Sequence, residues 1–176
     1  MKQEVASFLD YVAHSPTVFQ ATQQACDMLD AAGFTRLSEH EAWEILPGGR
    51  YYVTRNRSAL VAFAVPENGF THCQIVASHG DSPTFKLKAH AEGEAAGAYI
   101  RLDVEPYGGM IMSTWFDRPL SIAGRALVRE DGRLVTRLID LDRDAALIPN
   151  MPIHFNRDIN SGYSYNPQTD MLPLFG

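Results

Sequence analysis

The chain has 176 residues, 45% of them hydrophobic and 20% charged, with a formal net charge of -6. That composition excludes a disordered chain, and the acidic balance, with a pI near 5.4 and no basic run, argues against a surface for nucleic acid, whose phosphates it would repel. No apolar run approaches the roughly 20 residues that a membrane-spanning helix needs.

Val5, Phe8, Leu9 and Val12 recur at i, i+3, i+4 and i+7, which predicts an amphipathic helix near residues 2–13. Glu4 and Asp10 lie inside that pattern, charges that a signal-peptide core would not tolerate, and a cytoplasmic placement is expected. A second helix is predicted in "HSPTVFQATQQACDMLDAAGF", with Ser15 as N-cap and Pro16 at the first helical position, where its missing N–H costs nothing. Phe19, Thr22, Cys26 and Leu29 continue one face, and Gly33 supplies the left-handed residue that stops the helix.

From Arg50 the character changes to strands. "YYVTR", "ALVAFAV" and "CQIVAS" are short, rich in β-branched or aromatic residues, and separated by "NRS" and "PENGF", which have turn chemistry. The near-continuous apolar runs of the second and third predict a sheet covered on both faces. Cys26 and Cys73 fall in the predicted helix and the predicted buried strand, and both are expected as reduced, buried thiols. Helices first and buried strands next point to an α/β sandwich.

"HAEGEAAGAY" is a shift in composition that reads as a linker or domain crossing. Beyond it the pattern is β: "AYIRLDV", "LSIAGRALVRE" and "RLVTRLIDL", with Asp131-Gly132 between the last two as a two-residue hairpin turn. From Leu147 onward Pro and Asn are scattered without a sustained period, and the closing "MLPLFG" is an apolar stretch that reads as a truncation. No internal repeat is visible. The expected division is 1–92 as an α/β part and 93–176 as a β-rich part.

"QIVASHGDSPTFK" is where an apolar run ends abruptly in polar side chains, the end of a strand at which α/β folds keep their chemistry. His79 and Asp81 are spaced i, i+2. On a continued strand both leave the same face, so the carboxylate holds one ring nitrogen while the other meets a metal or substrate. Two other readings stay open at this point. Gly80-Asp81-Ser82 resembles a serine-esterase nucleophile turn, although Pro83 follows and no Asp-x-x-His lies near the C-terminus, and Asp81 can simply cap backbone N–H groups ahead of Pro83. His14, His40, His72 and His90 read as solvated or structural histidines. His154, in "MPIHFNR", is either core-facing or part of an anion-reading trio with Asn156 and Arg157. "STWFDRPL" reads as a packed aromatic corner with an Asp117–Arg118 ion pair.

Taken together, the segments "SPTVFQAT", "AAGF", "YYVTRNRSALVAFAV", "NGF", "SHGDSPTFKLK", "YGGMIMSTWFDRPLSIAGR" and "IPNMPIHFNRDIN" resemble the aspartyl aminopeptidase family of dinuclear zinc metallopeptidases, in family-like order over essentially the whole chain. The resemblance implies the N-terminal part of a zinc-peptidase-like α/β/α catalytic domain over 1–92 and part of an inserted, β-rich dimerisation domain over 93–176. It implies His79 as the first zinc ligand, Asp81 as the catalytic carboxylate that orients it, and His154 as a substrate-binding residue that reaches a neighbouring subunit's active site. Two divalent ions, zinc in type, a peptide substrate and a homo-oligomer built through the β-rich insertion follow from the same likeness. Gly80 stands where the family usually has Thr, Val18 and Gln20 where it often has Pro and His, and Pro119 where Asp is usual; Gly80 makes the loop more flexible. The family's remaining metal ligands and its general-base Glu belong to a second catalytic half that follows the insertion. The expectation is therefore the N-terminal portion of a metalloaminopeptidase that removes N-terminal residues, acidic ones among the candidates, and that is inactive alone. The alternatives are a non-catalytic assembly or regulatory module and the Ser82 esterase.

Overall fold

A computed structural model describes residues 2–176. In chain order the elements are α1 (Gln3–Ala13), α2 (Val18–Ala31), β1 (Thr35–Leu37), β2 (Arg50–Arg55), β3 (Ala59–Ala64), β4 (Thr84–Ala95), β5 (Tyr99–Tyr107), a short 3-10 helix (Met112–Trp115), β6 (Pro119–Leu120), β7 (Ala123–Glu130), β8 (Arg133–Asp140), β9 (Ala146–Leu147) and β10 (Leu174–Phe175). This mixture of helices and sheets is an α/β fold. It divides into two compact units, one of residues up to Asp81 with Ala123–Ile139, the other of Ser82–Ile122 with Asp140–Gly176.

In the first unit α1 forms as its period predicts, yet Phe8 and Val12 on its apolar face stay exposed. The cap of α2 differs from expectation. Thr17, extended at φ -137° and ψ 166°, accepts the Phe19 N–H at 3.2 Å, because its hydroxyl sits the two residues ahead of that amide that an N-cap requires. Pro16 precedes the cap, and among the described residues the buried Ser15 hydroxyl has no partner. The other end is as predicted: Gly33 at φ +77° lets its own N–H reach the Asp30 carbonyl and the Phe34 N–H reach the Leu29 carbonyl, both at 3.0 Å, the paired bonds of a Schellman cap.

β1, β2 and β3 form one sheet in that order, β1 parallel and β3 antiparallel to β2. The β2–β3 turn holds Asn56 and Arg57 at φ 52° and 54°, the two left-handed positions of a type I′ turn. β7 and β8 form a separate ribbon, turned by Asp131 and Gly132 at φ 48° and 78°, as the sequence predicts. The third apolar run is a correction. "CQIVAS" has no regular secondary structure, Val76 is 98% exposed and Cys73 is exposed, while Cys26 is buried as expected. A strand needs a neighbour for its N–H and C=O groups, and no described strand pairs with this segment. Nor is the sheet covered on both faces: Val61 of β3 is 61% exposed.

In the second unit five strands pair in the order β4-β5-β10-β9-β6. The segment read as a linker is a hairpin instead. β4 continues to Ala95, Ala96 and Gly97 turn at φ 52° and 67°, and β5 begins at Tyr99, with a register shift between Leu87 and Glu92. The small residues serve the turn and the bulge rather than a boundary. The core gathers Phe116, Ile148 and Met171, with Phe85, Trp115, Leu120 and Tyr165 packed against them. The aromatic corner therefore packs as expected, but no Asp117–Arg118 ion pair forms. Asp117 turns the chain at φ 55° and its carboxylate accepts the Asn150 N–H, while Arg118 donates to the Thr114 carbonyl at 3.4 Å. Among the described residues no helix is long and apolar enough to cross a membrane.

Candidate metal-binding loop and the His154 segment

His79, Gly80 and Asp81 belong to a loop, not to the strand expected there. The chain bends so that His79 Nδ1 lies 2.8 Å from the Asp81 carbonyl oxygen and 3.2 Å from Asp81 Oδ1. Both partners are acceptors, so the arrangement selects the tautomer with the proton on Nδ1 and a lone pair on Nε2. The side chains are 82% and 39% exposed, which leaves the ring open to an incoming ligand. Behind the loop stands the first residue of α2: a Cβ placed on Gly80 would lie 3.7 Å from Val18 Cγ2, an ordinary contact distance.

One imidazole backed by a carboxylate suits one position of a zinc centre, whereas a tetrahedral site takes three or four protein donors. Among the described residues no group of three His, Cys, Asp or Glu side chains forms such a set. The pair fits the metal as one ligand and its orienting group.

His154 lies in the second unit and is exposed, as are Met151, Ile153 and Phe155 around it. It is not core-facing. The Phe155 and Asn156 N–H groups both donate to the Pro152 carbonyl, at 2.9 and 3.2 Å, which winds the segment into a tight turn and presents its side chains outward. The base of this turn borders a cavity of about 200 Å³ lined by Phe116, Asn150, Met151, Tyr163, Tyr165 and Asp170, with others. Sequence reasoning missed the group at its wall. Asp170 accepts the Tyr163 hydroxyl, the Asn166 N–H and the Thr169 hydroxyl, each at 2.9 Å. Burial alone would raise this carboxyl, but the three donors outweigh it and hold the pKa below the usual range, while Tyr163, donating to a carboxylate, is pushed up. The Asn-x-x-Thr-Asp spacing is the one local signal available, since an Asn or Asp side chain bonds backbone groups a few residues away.

The sequence pattern of the family described as "Aminopeptidase I zinc metalloprotease (M18)" matches residues 11–176. The chain is 43% identical over 186 residues to a probable M18 family aminopeptidase 2 of Clostridium acetobutylicum, covering all of this chain and 42% of the relative. It is 44% identical over 177 residues to aspartyl aminopeptidase 1 of Schizosaccharomyces pombe, covering 96% of this chain and 37% of the relative. The chain thus spans about two fifths of the length of the curated relatives it matches. Among solved structures it is similar to a chain of the Ape4 and Nbr1 complex, with a TM-score of 0.91 and 41% identity over 97% of this chain and 33% of that one. It is also similar to the mApe1 dodecamer of S. cerevisiae, with a TM-score of 0.79 and 26% identity over 98% of this chain and 38% of that one.

Proposed function

The chain belongs to the M18 family of zinc aminopeptidases, and on that premise we propose that the protein is a metal-dependent aminopeptidase that removes N-terminal residues, acidic ones included, from peptides. The observation that carries this reading is the His79–Asp81 pair, whose hydrogen bonds at Nδ1 turn Nε2 into a ligand atom. Zinc, two ions in the complete site, would be held in part by His79. When bound, it supplies Lewis-acid polarisation of the scissile carbonyl and of the attacking water.

The chain's own residues do three things in this reading. Asp81 keeps the imidazole proton on Nδ1 and fixes the ring's direction. Gly80, with no side chain, keeps the loop between the imidazole and its carboxylate flexible. His154, presented by the second unit, contacts substrate, reaching it across a subunit boundary in a homo-oligomer built through the β-rich strands. That such an oligomer forms is supported by the dodecamer of the yeast relative. A cytoplasmic place of action is part of the proposal. Because no three-donor group forms among the described residues, the 176 residues alone are inactive in this reading, and neither the Ser82 esterase nor the non-catalytic module has support from the comparisons.

The test uses the full-length protein, assayed for release of N-terminal Asp, Glu and Leu from short peptides before and after removal of metal. Cleavage that is lost with the metal, restored by zinc and absent in His79→Ala is the expected result. Cleavage indifferent to metal removal would overturn the reading.

A further inference from the structure

Gln20 is 9% exposed, an unusual burial for a primary amide on the first turn of a helix. A buried amide must have its hydrogen bonds met or it destabilises the fold, and those of Gln20 are met from far along the chain. Its Nε2 donates to the Ile139 carbonyl at 2.9 Å and, more weakly, to the Gly124 carbonyl at 3.4 Å. Its Oε1 accepts the hydroxyl of Thr17, the N-cap of the same helix. The neighbouring residue repeats the attachment: the Arg125 guanidinium lies 4.1 Å above the centre of the Phe19 ring and donates to the Asn56 carbonyl at 2.6 Å. Two consecutive residues of α2 thus grip two consecutive residues of β7.

The helix end fixed in this way is the one that walls the metal-binding loop, through Val18 beside Gly80. Gly80 has no side chain with which to hold its own place, so the loop's position depends on that wall more than it would with a bulkier residue. We propose that Gln20 is a positioning residue for the His79–Asp81 loop: by tying the start of α2 to the base of the β7–β8 hairpin, it sets Val18 against Gly80 and so the direction of the His79 ring. The proposal rests on the reading of His79 as a metal ligand for its functional meaning. Its physical content concerns the metal-free loop.

The experiment is done on the full-length protein with Gln20→Leu, which removes the amide, and Gln20→His, which keeps one ring N–H donor. In the metal-free protein the Gly80 amide and the His79 imidazole nitrogens are followed by NMR and hydrogen exchange, and zinc affinity is then measured by titration. Gln20→Leu is expected to shift both loop signals, to speed exchange at Gly80 more than in β2, and to weaken zinc binding about tenfold, as loss of outer support at metal sites does. Gln20→His is expected to restore them in part. Unmoved loop signals in Gln20→Leu, or a uniform rise in exchange across the unit without rescue, would overturn the proposal. If Gln20→Leu does not fold, Val18→Ala trims the wall alone, and an unchanged Gly80 amide there would overturn it as well. Loop signals that move in a wild-type-like fold that takes up no zinc would support the positioning role and count against the metal reading.

Discussion

The carboxylate of Asp117 accepts the backbone N–H of Asn150 at 3.0 Å, across 33 residues, while the Asp117 N–H donates to the Ile148 carbonyl at 2.9 Å. One residue thus holds both ends of the step into the turn that presents His154. Asp117 does so at φ 55°, a conformation that Asp and Asn tolerate and Ala resists. Asp117→Ala is expected to cost about 2 kcal/mol, the sum of a charge-assisted hydrogen bond and backbone strain, with Asp117→Asn costing clearly less. Urea unfolding gives the stability, and amide exchange at Asn150 shows whether the loss is local. Asn keeps both an acceptor oxygen and the tolerance of positive φ, so equal losses in the two variants would mean that the carboxylate's charge, not backbone strain, carries the whole effect.

Tyr52 is fully buried and donates its hydroxyl to Asp30 at 2.7 Å. Burial first, and that hydrogen bond second, push the phenol pKa up to about 12. The folded-state value lies above the unfolded value of about 10, so the stabilisation is complete below pH 10 and is lost as the pH rises toward 12, an effect of about 2–3 kcal/mol. Unfolding midpoints measured across this alkaline window should fall steeply in the wild type and less steeply in Tyr52→Phe. That variant should also be weaker at neutral pH by about 1.5–3 kcal/mol, for the lost bond to a carboxylate.

Gly80 has open space for a methyl group, with Val18 Cγ2 at contact distance, and its φ lies outside the left-handed region. Gly80→Ala should therefore stabilise the protein by about 0.4–1 kcal/mol, through a smaller entropy loss on folding. Thermal unfolding checks the sign, and slower exchange at the flanking amides would place the effect in the loop. A lower melting temperature would mean that the loop needs glycine's freedom after all.

In the full-length protein, Asp81→Asn should weaken zinc binding by about 10–100-fold while leaving the fold intact, because an amide still occupies the site but no longer holds the imidazole proton as strongly. His79→Ala should weaken it further. Titration of metal-stripped protein ranks the variants, and an Asp81→Asn affinity equal to wild type would remove the carboxylate from the site.

What the sequence determined by itself was local. The period of α1, the glycine stop of α2 at Gly33, and the hairpin turn at Asp131-Gly132 depend on a few neighbouring residues, whose steric and hydrogen-bonding preferences do not wait for the rest of the fold. The motif order from "SPTVFQAT" to "IPNMPIHFNRDIN" likewise marked the M18 family, to which the chain belongs. Strand formation was legible only where a partner was near, as in β2 and β3. "CQIVAS" carries the same β-branched signature, but its backbone groups find no neighbour among the described residues, and pairing is a property of two segments, not of one. The "HAEGEAAGAY" hairpin was misread because small residues look alike in a linker and at a tight turn. Tertiary structure alone decided that Asp117 turns to Asn150 rather than to Arg118, and that Gln20 meets Ile139. Each is a choice among hydrogen-bond partners equally suitable in chemistry, and what separates them is which one folding brings within 3 Å.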